Sequence, residues 1–276
     1  MDAWRSAQGP LLYAHRGASL EYPENTLPAF EAALSLGADA LEIDVHMTLD
    51  GHLVVAHDPH GGRTAGVQRA IGGCPLAEVQ SWDVGLAHRR EHLGAPDAAG
   101  PARIPTLSEV LQALPRAALN VDIKRHDPRA AQTAVAVVRE HDASDRVLLT
   151  SFSSATIDAV RAAGYAGPLG LGQRDAVRAV FAPRALLRHW PLPGSRLQIP
   201  PRQGPIPLDR PALVAKMHSL GIAVDYWVIN DAPAVGRLLD RGADGIVTDD
   251  PRMAAAVFAR HPRADGFRSR HPEAVA

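Results

Sequence analysis

Residues 13–59 read YAHRGASLEYPENTLPAFEAALSLGADALEIDVHMTLDGHLVVAHDP. Residues 11–14 are a short apolar run that ends in the turn His15-Arg16-Gly17, which predicts a strand with His15 at its C-terminal end. Pro23-Glu24-Asn25-Thr26 then gives a helix start, with Asn25 or Thr26 as N-cap, a proline in the first turn and Gly37 closing the run 27–36. A second strand is expected over 40–46. After the Asp50-Gly51 turn a short continuation follows over 53–56. Strand, helix and strand in this order form a parallel crossover unit.

Working outward, the chain repeats the unit. Helices are expected at 107–114, 129–141, 154–163, 175–187, 210–220, 232–241 and 252–260. Strands fall between them at 118–123, 146–150, 169–171, 196–199, 223–228 and 245–248. Gly164, Gly221 and Gly242 stand just past three of the helix ends, where a left-handed residue stops a helix. Eight strand–helix steps favour an α/β fold of the closed (β/α)₈ TIM-barrel type over an open doubly wound sheet. The expectation is one barrel domain over residues 1–276, with an irregular insertion at about 58–105, after the second strand, and a polar flexible tail at 261–276. The insertion contains one expected helix near 76–82 and has too few large apolar residues for a core of its own.

Composition narrows the class. Of the 276 residues, 46% are hydrophobic and 21% charged, and the net charge is −1. A near-neutral chain gives no ground for a nucleic acid or an anionic membrane as main partner. The single cysteine, Cys74, rules out an intrachain disulfide and a cysteine-based zinc site. No run approaches the ~20 apolar residues of a membrane helix, and the first ten residues lack a secretory pattern, so a cytoplasmic enzyme is expected.

The chemistry concentrates in the opening stretch. Glu42 and Asp44 are two apart on a strand, so they share a face, roughly 6.5–7 Å apart along the backbone. Asp122 and Lys124 repeat the spacing in Asn120-Val121-Asp122-Ile123-Lys124. Ile43 and Ile123 then face the helices. Charged side chains are rarely buried unless paired or metal-bound, so three converging carboxylates suggest a hard cation, Mg²⁺ or Ca²⁺. A salt-bridge network from Glu42 and Asp44 to Lys124 and Arg16 is the alternative. His15 and His57 each follow an apolar strand, which puts both at the barrel's C-terminal mouth. One neutral and one charged histidine make a general acid–base pair for displacement at phosphorus. Arg16 offers a planar fork for phosphate oxygens. Trp227 is either core or cleft lining, and Phe152 is a weaker case of the same kind. His46 and His52 read as surface or strand-face residues. N-capping the last helix accounts for one of Asp249 and Asp250. No GxxxxGK[ST] loop and no GxSxG elbow occurs.

With these residues in place, the chain resembles the glycerophosphodiester phosphodiesterase family. The resemblance lies in AHRGAS (14–19), PENT (23–26), EIDV (42–45), the Thr48/Asp50-Gly51 turn, VVAHDP (54–59), IPTLSEVL (104–111), NVDIK (120–124), YWVIN (226–230) and GIVTDDP (245–251), in family order over nearly the whole chain. It implies a divalent cation held by Glu42, Asp44 and Asp122, an acid–base pair of His15 and His57, and phosphate-binding cations in Arg16 and Lys124. Trp227 would be a cleft residue. The implied reaction hydrolyses a small glycerophosphodiester, such as glycerophosphocholine, to glycerol 3-phosphate and an alcohol, the free glycerol hydroxyl attacking phosphorus first to give a cyclic phosphate. Lysophospholipase D or sphingomyelinase D activity is the second reading and a non-catalytic phosphodiester-binding protein the third. Asp122 departs from the family, which usually has glutamate there, and YWVIN replaces a WTVN-like run.

Overall fold

The protein is described by a computed structural model that covers Trp4 and residues 9–91, 101–124 and 127–272. Residues 92–100 of the expected insertion and 273–276 of the expected tail lie outside the described residues. Seven strands run in one parallel path: β1 (Leu11–His15), β2 (Ala40–Met47), β4 (Ala118–Ile123), β5 (Val147–Thr150), β6 (Arg196–Ile199), β7 (Ala223–Tyr226) and β8 (Gly245–Thr248). Their order across the sheet is β5-β4-β2-β1-β8-β7-β6. A hairpin strand, β3 (Leu53–Val55), pairs antiparallel with the end of β2.

The eighth stave is residues 169–170. Leu169 bridges Leu149 on one side and Gly170 bridges Arg196 on the other, both parallel, which joins β5 to β6 and closes the barrel. The sequence led us to expect a strand of three residues here. It is reduced to two bridges because Pro168 has no N–H to donate and Gly170 runs tight against its neighbour, where a Cβ would lie 2.6 Å from Thr150 Cγ2.

Helices cover the outside of the staves. They are α1 (Leu27–Ser35), α2 (Leu107–Ala113), α3 (Pro128–Glu140), α4 (Ser154–Ala162), α5 (Gln173–Phe181), α6 (Pro211–His218), α7 (Ala232–Asp240) and α8 (Pro251–Phe258). Local chemistry sets their starts. Thr26 accepts from Ala29 N, Thr106 and Glu109 form a capping box, and Asp127, Ser153, Asp231 and Asp250 each cap a first turn. Outward strand positions such as Leu41, Ile43, Leu119 and Ile123 pack with Phe30, Val110 and Val135 of the helices in one buried layer. Among the described residues no helix is long and apolar enough to cross a membrane.

The inside of the barrel is different. At its lower end Arg196, 4% exposed, grips Asp225 with Nε at 2.7 Å and Nη2 at 2.5 Å. Tyr13 and Gln198 also donate to Asp225, and Asn120 donates to Gln198. Trp4 and Tyr13 present their rings to the guanidinium at 5.7 and 5.8 Å. A polar plug of this kind holds the staves by directed bonds beneath the C-terminal ends of the strands.

Two expectations need correction. The insertion has a small core of its own: Ile71, Cys74, Val79, Trp82, Val84 and Ile104 are buried with Val54 of β3. Sequence reading missed it because these residues are spread thinly and come together only around one tryptophan. The segment from His261 is not a loose polar tail through its described part. It forms a last helix, α9 (Asp265–Arg270), whose Phe267 is fully buried with its ring 5.2 Å from that of Phe258. Arg270 Nε and His271 Nε2 both reach Asp39 Oδ1, at 2.6 and 2.9 Å.

Removing one partner of a buried ion pair strands the other. Asp225→Ala is expected to lower stability by about 3–5 kcal/mol. Urea unfolding of this variant beside Arg196→Met/Asp225→Leu checks it, since the double change removes both charges and should cost less.

Candidate active site

Asp44 and Asp122 are Cα partners across the β2–β4 pair, and His15 is the partner of Glu42 across β1–β2. One carboxylate oxygen each from Glu42, Asp44 and Asp122 lie within 4.8 Å of one another. All three residues are buried, Asp44 completely. Asp122 is a methylene shorter than glutamate, yet it reaches the cluster because the parallel register sets it directly beside Asp44.

Two cations enter this cluster. Lys124 Nζ lies 2.8 Å from Asp44 Oδ1 and 2.6 Å from Asp122 Oδ2. Arg16 Nε is 3.4 Å from Asp44 Oδ2, and its Nη1 donates to Glu24 Oε1 at 3.1 Å. Arg16 sits in the left-handed region at φ 58, a strained place for a side chain of this size. Its backbone is held there by donation from Arg16 N to Glu42 O at 2.7 Å and by Asn25 N donating to Arg16 O at 2.9 Å. Gly17 follows at φ 86, with no room for a Cβ against Ala29.

Three carboxylates against two cations leave negative charge unmatched. Glu42 Oε2 and Asp122 Oδ1 are buried with no hydrogen-bond partner. Burial and the neighbouring Asp44 push the Glu42 carboxyl up to about 8, and burial also raises Asp122. Asp44 stays below the usual carboxylate range in spite of its burial, because Lys124 and Arg16 stand beside it. Unpartnered oxygens on hard, acidic donors fit a divalent cation such as Mg²⁺ or Ca²⁺. The salt-bridge alternative is present in part, but it leaves these two oxygens unanswered.

His15 lies between two acids. Its Nδ1 is 2.6 Å from Asp249 Oδ1, and its Nε2 is 3.7 Å from Glu42 Oε2. Burial alone would lower its pKa, but the bond to Asp249 and the charge of Glu42 raise it. Asp249 in turn accepts from Ser19 Oγ at 3.3 Å and Asn230 Nδ2 at 2.6 Å. Of the aspartate pair before α8, only Asp250 is the helix cap, accepting from Met253 N at 2.8 Å. The second acid, left over beside a satisfied cap, was the available signal for Asp249.

His57 arrives by a route the sequence did not indicate. It does not end a barrel stave. β3 runs antiparallel to β2 and brings the chain back down to the level of Asp44, whose carbonyl accepts from Ala56 N at 2.9 Å. The His57 ring then donates from Nδ1 to Asp58 Oδ1 at 2.7 Å, so the neutral ring would carry its lone pair on Nε2. Its carbonyl accepts from His46 Nε2 at 2.9 Å. His46, read as a surface or strand-face residue, is buried, and burial keeps it neutral. Asn25 was also missed: it takes φ 57 and donates from Nδ2 to Asp44 Oδ2 at 3.1 Å.

Trp227 follows β7 at the rim, half-buried, with its ring edge-on to exposed Phe152 at 5.7 Å. Its other side packs against the buried cluster that includes Tyr13, Leu148 and Val247.

The chain's similarities agree with this geometry. Residues 15–253 match the Glycerophosphoryl diester phosphodiesterase family. A probable glycerophosphodiester phosphodiesterase 2 of Mycobacterium tuberculosis is 31% identical over 265 residues, covering 94% of this chain and 94% of that protein. A glycerophosphodiester phosphodiesterase of Caldanaerobacter subterraneus subsp. tengcongensis is 29% identical, over 87% of this chain and 94% of its own. The crystal structure of a putative glycerophosphoryl diester phosphodiesterase from Silicibacter pomeroyi superposes with a TM-score of 0.77 at 26% identity, over 93% of this chain and 96% of that one. With the barrel, its buried carboxylate triad and a match over most of its length, the chain belongs to the glycerophosphoryl diester phosphodiesterase family.

Proposed function

We propose that the protein hydrolyses small glycerophosphodiesters, such as glycerophosphocholine, to glycerol 3-phosphate and an alcohol. The reading is carried by one observation: two histidines, each with its Nδ1 bonded to an aspartate, stand beside a buried carboxylate triad that has unpartnered oxygens. Glu42, Asp44 and Asp122 would hold a divalent cation. Bound there, the cation would neutralise charge developing on the phosphoryl oxygens.

The side chains supply the rest. Arg16 presents donors to the phosphate from a backbone position fixed by two hydrogen bonds. Lys124 balances Asp44 and Asp122 and adds positive charge at the same wall of the pocket. His57, whose Nδ1 is tied to Asp58, is suited to accept the proton of the attacking hydroxyl at Nε2. His15, whose pKa is raised by its bond to Asp249 and by Glu42 in spite of burial, is suited to give a proton to the leaving alcohol. Trp227 lines the cleft edge, where an apolar part of the alcohol would lie.

One feature favours a second reading. Phe152 is 61% exposed at the rim beside Trp227, and Leu20 and Tyr22 are exposed on the β1–α1 loop. An acyl chain could rest on such a rim, as a lysophospholipase D would need.

Three experiments test these roles. The wild-type protein is expected to release glycerol 3-phosphate from glycerophosphocholine with Mg²⁺ or Ca²⁺, and His15→Ala and His57→Ala each to lose about 10²–10⁴-fold in kcat. No glycerol 3-phosphate with any divalent cation would remove the proposal. Cation at 100 times its dissociation constant should stabilise the fold by about 2.7 kcal/mol, roughly 5 °C in Tm. That shift should vanish in Asp44→Asn, read by calorimetry. Phe152→Ser should leave glycerophosphocholine turnover intact; a selective loss against a lysophospholipid would favour the second reading.

A further inference from the structure

The insertion contributes a side chain that touches neither the carboxylate triad nor the histidines, yet connects to both sides of the site. Arg63 lies on a four-residue helix, Gly62–Ala65, that presses on Trp82 of the insertion's core. The contact is close: a Cβ on Gly61 would lie 2.8 Å from Trp82 Cε3. From this platform the guanidinium uses three different nitrogens. Nε donates to Asp58 Oδ2 at 2.8 Å, while Nη1 and Nη2 donate to Glu24 Oε2 and Oε1, both at 2.7 Å.

Each of those acids is the outer partner of a site residue. Asp58 Oδ1 holds His57 Nδ1 at 2.7 Å, and Glu24 Oε1 holds Arg16 Nη1 at 3.1 Å. The result is one continuous run of bonds: His57, Asp58, Arg63, Glu24, Arg16. Its members come from three places in the chain: the β1–α1 loop, the segment after β3, and the insertion. A planar fork suits this, because its two Nη donors hold Glu24 bidentately while Nε meets Asp58, three directed bonds that one ammonium nitrogen does not reproduce in that plane.

We infer that Arg63 is a positioning residue that sets His57 and Arg16 together, through Asp58 and Glu24. This rests on the roles given to His57 and Arg16 above. The side chain of Arg63 is 47% exposed, so its ion pairs add little to stability. What it contributes is geometry. Held at Oδ2 by Arg63, Asp58 keeps its Oδ1 on His57 Nδ1 and the ring turned with Nε2 towards the pocket. Glu24, with its charge answered by Arg63, orients Arg16 without drawing it away from the phosphate.

The two branches can be read separately. In Asp58→Asn, kcat should fall while the affinity for inorganic phosphate stays at the wild-type value. In Glu24→Gln, phosphate affinity should fall while the ¹⁵N signal of the His57 ring keeps its Nδ1–H tautomer. In Arg63→Met both should change, by about ten- to a hundredfold in kcat as for other outer-shell partners. Arg63→Lys should restore one branch at most. Phosphate affinity and the ¹⁵N tautomer are measured without turnover, so they judge the positioning role even if glycerophosphocholine proves not to be a substrate. If Arg63→Met folds poorly, the Asp58 and Glu24 variants still separate the branches. The inference falls if Arg63→Met lowers Tm but leaves kcat, phosphate affinity and the His57 tautomer unchanged. It falls equally if Asp58→Asn and Glu24→Gln affect both branches alike.

Discussion

The parallel pairing of Asp44 with Asp122 is the constraint on which the site depends. It sets two carboxylates side by side inside a closed barrel, with Glu42 one repeat along the same face. Such a group is unfavourable unless cations come to it, and the neighbouring elements are arranged to bring them. Lys124 extends β4 by one residue and lands between the two aspartates. Arg16 leaves β1 in a strained left-handed conformation and reaches Asp44 from the other side. The strain persists because Glu42 and Asn25 hold the Arg16 backbone at both ends of the residue. Even so, two oxygens remain without partners, and that unmet demand is the physical case for a divalent cation.

The barrel divides this work by height. Its lower interior is closed by Arg196 and Asp225, which are fully paired and walled in by Tyr13, Gln198 and Trp4. Its upper interior holds acids that are not fully paired. The last helix adds to the lower end by bringing Arg270 and His271 to Asp39. Rigid packing below lets the mouth keep charges that would be costly elsewhere, as is common where function concentrates. The insertion serves the mouth from outside: its small core around Trp82 gives Arg63 a firm base from which to meet Glu24 and Asp58.

Much of this was legible in the order of residues. Alternating apolar runs and glycine stops gave eight strand–helix steps, because period and end-capping are local properties. The two-residue spacing of Glu42 with Asp44, and of Asp122 with Lys124, put each pair on one face of its strand. The sequence could not tell that β3 turns back antiparallel, so it predicted the level of His57 for the wrong reason. It also left open which of Asp249 and Asp250 caps the last helix and gave the other no partner, since Asp249 meets His15 across 234 positions.

By itself, then, the sequence determined the elements, the barrel class and the residue types of the site, all through patterns that span a few positions. Tertiary structure decided which of those residues meet. Closure of the barrel set β8 beside β1 and so gave His15 its aspartate. The hairpin brought His57 to the triad, and folding of the insertion around Trp82 carried Arg63 to an acid 39 positions earlier. Contacts of that range depend on how whole elements pack, and no local periodicity encodes them.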